Sequence, residues 1–543
     1  GGATEEKAVV NRVSETNVQV QGIDEPDIVK TDGNEIYYSN QSYVFDVEPR
    51  TMMEPSEIGE QMDIAPAPRY RGVTLGINAL PLDKLGINAE IDGIGNLLLQ
   101  DNVLVVFNND GLQAYDVVDP AEPKELWDLD YADKNYLAGA RLYGDEIYFI
   151  TKTRVSEYSP CPIEPFAVNG VSMPITCGQI YHPVAPAPVD TTYNVAVINM
   201  KDGAVKNQVS FLGSSSRSNL YMSTENIYLS YFSPVDTLKV MLNLFEASSD
   251  VLPAELIAKI KTVANYDIST QAKMTELQQL IAKYMNALDS DEQMRIENEL
   301  ENRTKDFVED NLRALEETGI VKISVKDLEV KANGMVPGHL LNQFSMDEYK
   351  GNLRVATTIG DSWSASINDV YVLDKNMKTI GSALDMGEDE RIYSVRFIED
   401  KGYVVTFKQT DPFYVLDLSN PKDPEITGEL KIPGYSAYLH PLAENMILGV
   451  GKEDQYVKIS LFDVSDPTKP VEKDKYSLKA YWSDVINTHH AYLQDDKYEV
   501  FYLPSNEGGY IFSFAGNEFE LIKTVSGVRA ERAVVINDNL CVI

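Results

Sequence analysis

A turn motif that recurs at a nearly fixed spacing is the feature that most constrains the fold of this chain. The motif reads Asp-x-x-(Asp/Asn)-Pro, follows an apolar run each time, and starts at Asp116, Asp417 and Asp463. In such a turn the acidic or amide side chain accepts a hydrogen bond from its own backbone, and proline ends the strand because it has no N–H group. The last two copies start 46 residues apart, which indicates a repeated structural unit.

Short predicted strands fill the rest of each unit. Runs such as NLLLQDNVLVVF, DEIYFITK and VKISLFDV are rich in Val, Ile, Tyr and Phe, and Asp, Asn and Gly separate them. A period of about 40–50 residues with four strands is typical of a β-propeller. Candidate blade starts lie near Ile28, Gly95, Ala138, Asn219, Leu340, Ile392, Ala437, Tyr481 and Arg529. The sequence therefore predicts an all-β fold.

The first and the last of these candidate blades are incomplete in the sequence. We expect strands from both chain ends to join into one blade, which gives eight blades, with seven as the alternative count. Such closure removes sheet edges that would otherwise invite aggregation. The first part of the propeller spans residues 1–233 and the second part spans 320–543. Loop insertions are expected at about 51–89, which is rich in Met and Pro, and at about 156–191.

Residues 234–319 are predicted to form an α-helical arm inserted into the propeller. Their apolar residues recur with helical periodicity, Ser269 and Ser290 are suitable N-caps, and Gly319 is a suitable stop. The favoured interpretation is that these helices pack on each other and on the propeller. The alternative is a protruding arm that binds a partner.

The chain is strongly acidic, with 84 Asp and Glu against 47 Lys and Arg and a net charge of -37. This charge argues against binding to nucleic acid and to anionic membranes. It fits solubility, a basic partner, or a bound hard cation. Asp24, Glu25, Asp27 and Asp32 are the candidate ligands for calcium, although turn formation at the entry to the first blade also accounts for them.

Cysteine use favours an exported protein. Cys161 and Cys177 flank a Pro-rich stretch at a spacing that suits a loop disulfide, whereas Cys541 stands alone in a predicted strand. Asn40 and Asn302 lie in glycosylation sequons. There is no apolar run of the length that crosses a bilayer. We therefore expect a secreted or cell-surface protein whose signal peptide has been removed.

Catalytic motifs are absent from the sequence. There is no Gly-x-Ser-x-Gly elbow and no dinucleotide-binding loop, so neither a nucleophilic hydrolase nor a nucleotide cofactor is indicated. His339, His440, His489 and His490 each precede or open the strands of a blade. Equivalent positions in a propeller converge on the central channel, where imidazoles can bind a transition metal. The competing interpretation is that they are structural residues that hydrogen-bond between blades.

Four longer segments of the chain resemble a known family. They begin at Asn17 (NVQVQGIDEPDIVKTDGNEIYY), Pro337 (PGHLLNQFSMDEYKGNLRVATT), Glu390 (ERIYSVRFIEDKGYVVTF) and Leu461 (LFDVSDPTKPVE). The family is that of secreted archaeal and bacterial proteins with a β-propeller domain distantly related to WD repeats. The resemblance implies a propeller fold and export, and it implies no general activity. The C-terminal end departs from the pattern, because the last blade is short.

These observations together predict a non-enzymatic extracellular or cell-surface scaffold that binds a protein or a glycan. One alternative is a structural subunit of a surface layer or filament, because residues 6–20 alternate like a strand that can pair with a neighbouring subunit. Another is an extracellular hydrolase or lyase that uses carboxylates on the propeller face. No cofactor other than calcium is expected.

Overall fold

A computed structural model of the chain describes residues 12–45, 70–156, 158–182, 189–233, 236–360, 365–408 and 411–543. Within these ranges the strands form eight antiparallel sheets with a core of four strands each, and one two-stranded hairpin. In every sheet the four core strands lie side by side in the order in which they occur along the chain. None of the helices in these ranges is both long and apolar enough to cross a membrane.

The strands of the first four sheets occupy the N-terminal part of the chain. Sheet 1 contains β1 (Val29–Thr31), β2 (Glu35–Phe45), β3 (Tyr70–Asn78) and β4 (Gly86–Asp92). Sheet 2 contains β5 (Asn96–Gln100), β6 (Val103–Phe107), β7 (Gly111–Asp116) and β8 (Lys124–Tyr131). Then follow β9 (Asn135–Tyr143), β10 (Glu146–Arg154), β11 (Phe166–Val168), β12 (Val171–Ser172), β13 (Ile180–Tyr181), β14 (Thr191–Asn199) and β15 (Val205–Gly213), of which β9, β10, β14 and β15 form the core of sheet 3. Sheet 4 contains β16 (Asn219–Met222), β17 (Asn226–Ser233), β18 (Glu317–Ser324) and β19 (Val330–Pro337).

The remaining strands follow without a long interruption. Sheet 5 contains β20 (Met346–Tyr349), β21 (Asn352–Gly360), β22 (Ser366–Leu373) and β23 (Thr379–Met386). Sheet 6 contains β24 (Arg391–Ile398), β25 (Lys401–Phe407), β26 (Asp411–Asp417) and β27 (Glu425–Ile432). Sheet 7 contains β28 (Tyr435–Ala443), β29 (Met446–Glu453), β30 (Tyr456–Asp463) and β31 (Val471–Ser477). Sheet 8 contains β32 (Leu493–Asp495), β33 (Val500–Ser505), β34 (Gly508–Ser513) and β35 (Glu520–Ser526), and the terminal hairpin contains β36 (Ala533–Ile536) and β37 (Asn539–Val542).

The sheets pack face to face around a ring, because each inner strand has two apolar faces. In β29, Ile447 belongs to an apolar cluster shared with sheet 6, whereas its neighbour Leu448 belongs to a cluster shared with sheet 8. Similar clusters join every sheet to the next, and the terminal hairpin packs against both sheet 8 and sheet 1. Alternate side chains of a strand point to opposite faces, so burial on both faces explains the continuous apolar runs in the sequence. The β-propeller prediction is confirmed.

The recurrent turn motif has the predicted hydrogen bonds. The Oδ1 atoms of Asp116, Asp417 and Asp463 each accept a hydrogen bond from the backbone N–H two residues later, at 2.8–3.0 Å. The motif also packs against the preceding sheet, which the sequence does not reveal. A Cβ atom built on Gly428 of β27 would overlap the carbonyl oxygen of Pro467 and would lie 2.8 Å from Cδ of Pro470. Glycine on the outer strand therefore lets the turn of the next sheet approach closely.

The predicted joining of the two chain ends is found in a different place: the strands that start near Ile28 form sheet 1 without the C-terminal strands, whereas residues 12–14 pair with the C-terminal end of the chain. Sheet 1 is complete without C-terminal residues, because β3 and the beginning of β4 lie inside the stretch 51–89 that the sequence suggested as an irregular insertion. Of that stretch, residues 51–69 are outside the described ranges. The chain end near Arg529 instead forms the separate terminal hairpin, and Val13 adds one antiparallel bridge to its residue Ile536.

The insertion at 156–191 is also more regular than expected. Its strands β11 and β12 extend sheet 2 beyond β8, and β13 pairs with β15 at the edge of sheet 3 in parallel orientation. The disulfide between Cys161 and Cys177 is present, with a Cα–Cα separation of 5.3 Å. The insertion thus covers two sheet edges that would otherwise expose unpaired backbone groups.

The helical arm separates the two central strands of sheet 4. It contains α1 (Thr237–Ala247), α2 (Ala254–Ala264), α3 (Thr270–Met285) and α4 (Ser290–Asn311). Ser269 caps α3 as predicted, but Asp289 caps α4 in place of Ser290. Gly319 lies inside β18, so the helical part ends before the predicted stop. The apolar core of the arm consists only of its own side chains, from Leu238 to Leu300, so the helices pack on each other and not on the core of the propeller.

We predict that Gly428→Ala lowers the free energy of unfolding by about 1–3 kcal/mol, because the added methyl group collides with the backbone of Pro467. Gly86→Ala is the matched control, since Gly86 lies in the outer strand β4 and a Cβ atom there meets nothing within 4 Å. The control should change stability by less than about 0.5 kcal/mol. Denaturant unfolding of both variants measures the difference. Equal stability of the two variants would contradict the proposed contact.

Candidate functional site

The segment of residues 12–28, here called the axial segment, runs across the ring before the chain enters sheet 1. The side-chain N–H of Asn17 donates to the carbonyl oxygen of His489, and that of Gln19 donates to the carbonyl oxygen of Met346. Asp24 forms an antiparallel bridge with Leu142 of β9, and Asp27 forms one with Leu97 of β5. The segment thus contacts sheets 2, 3 and 5 and the turn that precedes sheet 8, which places it near the axis of the ring.

Glu25 is the centre of a buried polar cluster on this axis, since only 3% of its surface is exposed. The side-chain amide of Gln343 donates to both carboxylate oxygens, at 3.1 and 3.0 Å, and the backbone N–H of Gln19 donates at 3.1 Å. Arg141 of β9 places a guanidinium nitrogen 3.7 Å from Oε2. Burial alone would raise the pKa of Glu25, but the charge of Arg141 and then the nearby imidazole of His489 hold this pKa well below its usual range. Glu25 is therefore a buried carboxylate that stays charged.

Two adjacent histidines face this carboxylate from the 3-10 helix that precedes β32. Nε2 of His489 lies 3.3 Å from Oε2 of Glu25, and Nε2 of His490 lies 3.7 Å from the same atom. Nδ1 of His490 lies 2.9 Å from the carbonyl oxygen of Asn17, so this nitrogen is the donor. Burial and the neighbouring His489 lower the pKa of His490 to about 4. The imidazole of His490 is thus neutral at pH 7, with the lone pair of Nε2 available.

His440 of β28 also lies near the axis, whereas His339 is bound elsewhere. Nδ1 of His440 is 2.8 Å from the hydroxyl of Tyr438, which accepts a hydrogen bond from Asn17. Burial and then the charge of nearby Arg396 hold the pKa of His440 well below its usual value. His339 instead pairs with Glu316 at 3.1 Å. The four histidines do not form one ring, but three of them lie around the axial segment.

The four predicted calcium ligands are not brought together. Asp24 pairs with the buried Lys30 at 2.7 Å, and Asp27 pairs with Arg532. Asp32 caps its own turn, where its Oδ1 accepts hydrogen bonds from the backbone of residues 34 and 35. Among the described residues, the group of carboxylates and imidazoles close enough to hold an ion contains Glu25 together with the two histidines. Calcium binding by the four residues stays a prediction, and these contacts count against a common site.

A cavity of about 560 Å³ lies beside the polar cluster of Glu25, Arg141, Gln343, His489 and His490, here called the axial cluster. The axial segment forms one wall, and Tyr492, Arg532 and residues of the terminal hairpin form another. His490 belongs to the wall of the cavity as well as to the cluster around Glu25. The cavity therefore connects the buried carboxylate and histidines to a space that is large enough for water or a small ligand.

The remaining predicted site residues lie far from this cluster in the fold. Cys541 lies half-buried in β37, and burial raises the pKa of its thiol. Asn302 is exposed on α4. The backbone of Asn40 belongs to β2, and its side chain lies outside the described part of the structure.

Three residues of the site were missed by the sequence analysis, namely Arg141, Gln343 and Arg532. Arg141 is 7% exposed, and Arg532 is also 7% exposed, so each basic group is buried against a carboxylate. The sequence signal for these residues was weak. Arg141 stands within an apolar strand, and Gln343 and Arg532 stand just before one. This pattern suggests burial of a polar side chain but does not identify the residue that pairs with it.

One family model and two archaeal proteins match nearly the whole of this chain. The family model described as "Beta propeller domain" matches residues 13–540. An uncharacterised protein of Archaeoglobus fulgidus is 46% identical over 532 residues, which is 98% of this chain and 81% of that protein. An uncharacterised protein of Methanocaldococcus jannaschii is 38% identical over 541 residues, which is 97% of this chain and 80% of that protein.

Solved structures similar to this chain include the C-terminal WD40 domain of Sif2. The two are 7% identical, the match covers 81% of this chain and 90% of that domain, and the TM-score is 0.38.

We predict that Arg532→Met lowers the free energy of unfolding by about 3–5 kcal/mol, because it leaves the Asp27 carboxylate buried without a partner. Arg532 donates three hydrogen bonds to Asp27, at 2.8–3.0 Å. Burial alone would raise the pKa of Asp27, and Arg532 more than offsets this effect.

The double variant Asp27→Asn/Arg532→Met should recover part of the loss, since no buried charge remains. Lys431→Met is the control, because the pair of Lys431 with Glu429 is exposed and should contribute less than about 1 kcal/mol. Thermal and denaturant unfolding measure all three proteins. A loss for Arg532→Met as small as that of the control would refute the importance of the pair.

Proposed function

The chain belongs to the family of β-propeller domain proteins, and on this premise we propose that it is a non-catalytic extracellular scaffold that binds a partner protein through its helical arm. The observation that carries this proposal is the separate apolar core of the four helices. An element with its own core can present a surface without contributing to the packing of the ring. A disulfide within a surface insertion supports an oxidising compartment.

The surface of the arm favours a basic protein as the partner. Helix α4 contains eight acidic and three basic residues, so it carries a denser negative charge than the chain as a whole. The arm also exposes large apolar side chains, with Met294, Tyr266 and Ile268 between 43% and 65% exposed. Apolar anchors within a charged surface are typical of protein interfaces, where charge directs the encounter and apolar contacts contribute affinity.

Polar contacts fix the base of the arm to the propeller. Arg313, which follows α4, donates to both carboxylate oxygens of the fully buried Asp369, at 2.7 and 2.9 Å, and also to Asp385. The paired strand residues Ser233 and Glu317 hold the two ends of the insertion close together. The arm is therefore anchored at its base, while its helices remain available to a partner.

Self-assembly through the N-terminal strand is less well supported. The described part of that stretch, residues 12–20, contacts the same chain, through the bridge of Val13 to Ile536 and the hydrogen bonds of Asn17. A neighbouring subunit is not needed to account for these residues. A hydrolase or lyase function has no supporting observation beyond the presence of carboxylates.

We predict that the protein without its arm folds but no longer binds the partner. In the test variant a flexible Gly-Ser linker of about eight residues replaces residues 236–311, and Arg313 is kept so that Asp369 retains its partner. Its melting temperature should stay within a few degrees of that of the full chain. Both proteins are immobilised and exposed to proteins and glycans of the native cell envelope, and retained molecules are identified by mass spectrometry.

A charge-reversal pair sharpens the test. Glu301→Lys/Asp306→Lys on α4 should weaken binding of the captured protein at least about tenfold at low salt. Asp423→Lys/Glu425→Lys makes the same change at exposed positions of sheet 6 and should leave binding unchanged. Equal retention by the full chain and the variant without the arm would contradict the proposal, and so would retention of glycans alone.

A further inference from the structure

The contacts around Glu25 leave one buried nitrogen atom unexplained. Nε2 of His489 is inaccessible to solvent and has no hydrogen-bond partner among the described residues. It lies 3.3 Å from Oε2 of Glu25, but without the geometry of a hydrogen bond. A buried polar atom without a partner is energetically unfavourable, so such an atom in a polar cluster calls for a ligand or a water molecule.

The arrangement of donor atoms suits a small transition-metal ion. One oxygen of Glu25 and one nitrogen each of His489 and His490 all lie within 4.8 Å of one another. In tetrahedral zinc sites with bonds of 2.0–2.1 Å, neighbouring ligand atoms are separated by about 3.3 Å. The two nitrogens lie 3.3 and 3.7 Å from Oε2, so small side-chain movements suffice to bring the three atoms around one ion.

The second contact of His490 also fits metal ligation. Nδ1 of His490 donates to the carbonyl oxygen of Asn17 at 2.9 Å, which directs the lone pair of Nε2 toward Glu25. Histidines that bind metals almost always donate the other ring N–H to an oxygen in this way. The ring of His489 packs edge-on against Phe344 at 4.8 Å between centroids, which restricts its rotation.

We propose that Glu25, His489 and His490 bind a divalent transition-metal ion of the zinc type. Two imidazoles and one carboxylate favour such an ion over calcium, which prefers oxygen ligands alone. His490 also lines the neighbouring cavity, so a fourth ligand enters from there. Because Arg141 already offsets the charge of Glu25, that fourth ligand is an anion such as hydroxide or a small carboxylate.

The bound ion joins two distant parts of the chain. Glu25 belongs to the axial segment, and the two histidines belong to the entry of sheet 8. Metal bonds between them stabilise the folded ring, because the ion binds the folded state and not the separated chain ends. This inference is independent of the helical arm, and the variant that lacks residues 236–311 should bind the ion as the full chain does.

The test uses the full chain after removal of metals with a chelator. Addition of Co²⁺ should give the visible absorption of a tetrahedral ion with one equivalent bound, and Zn²⁺ should displace it. Zn²⁺ should raise the melting temperature by several degrees, whereas Ca²⁺ should leave it unchanged. Absence of Co²⁺ and Zn²⁺ binding up to millimolar concentration would overturn the proposal.

Variants assign the ligands. His489→Gln and His490→Gln should each weaken Zn²⁺ affinity by more than about 100-fold. This loss exceeds the usual effect of changing a residue that only hydrogen-bonds to a metal ligand. His182→Gln is the control, because His182 is exposed and lies in another part of the fold.

Circular dichroism of each variant shows whether it is folded. If a histidine variant does not fold, the chelator-dependent melting temperature of the unaltered chain decides the question, and a value that chelator leaves unchanged refutes the proposal. Affinity unchanged in both folded histidine variants would also refute it.

Discussion

The buried ion pair of Asp27 and Arg532 joins residues 505 positions apart, at the place where the two ends of the chain close the ring. Each sheet has two apolar faces, so each needs a neighbour on both sides. Chain connectivity supplies seven of these contacts between successive sheets, but the contact between the terminal hairpin and sheet 1 must form between chain ends. Apolar packing alone is non-directional, whereas a bidentate pair of buried charges is satisfied in one arrangement only. The pair therefore favours one register of ring closure, together with the backbone hydrogen bonds that join residues 12–14 to the terminal hairpin.

The sequence predicted the repeating part of this structure well, for a local reason. The turn hydrogen bonds of Asp116, Asp417 and Asp463 involve atoms two residues apart, so they can be inferred from the motif itself. The apolar runs of the inner strands likewise record burial on both faces. The sequence did not predict the short or irregular elements. Strands β11–β13 are two or three residues long, which is too short to show any periodicity. Strand β3 was missed because it lies in a stretch rich in Met and Pro.

The candidate site was predicted in two separate halves. Acidic residues near Glu25 and the histidine pair at 489 were each recognised as possible ligands, but 464 residues separate them in the sequence. The pairing of Asp24 with Lys30 spans six residues and lies within reach of sequence reasoning. The pairing of Asp27 with Arg532 does not, since no local pattern marks which of the chain's arginines returns to the axis. Once Asp24 and Asp27 are paired, Glu25 remains to contact His489 and His490. Only the folded ring shows this contact.

The axial cluster and the helical arm depend on the ring to different degrees, because they occupy different positions in it. Side chains of the cluster come from the axial segment, from first strands such as β9, and from turns that precede first strands, so each is held by several sheets at once. The arm instead interrupts β17 and β18 in the middle of sheet 4, where the strands pair through Ser233 and Glu317 irrespective of what the connection contains. Loop-closure entropy rises only slowly with length, so such a connection tolerates a large insertion. The length of the insertion can therefore vary with little effect on the ring, whereas a change in the axial segment alters contacts with several sheets at once.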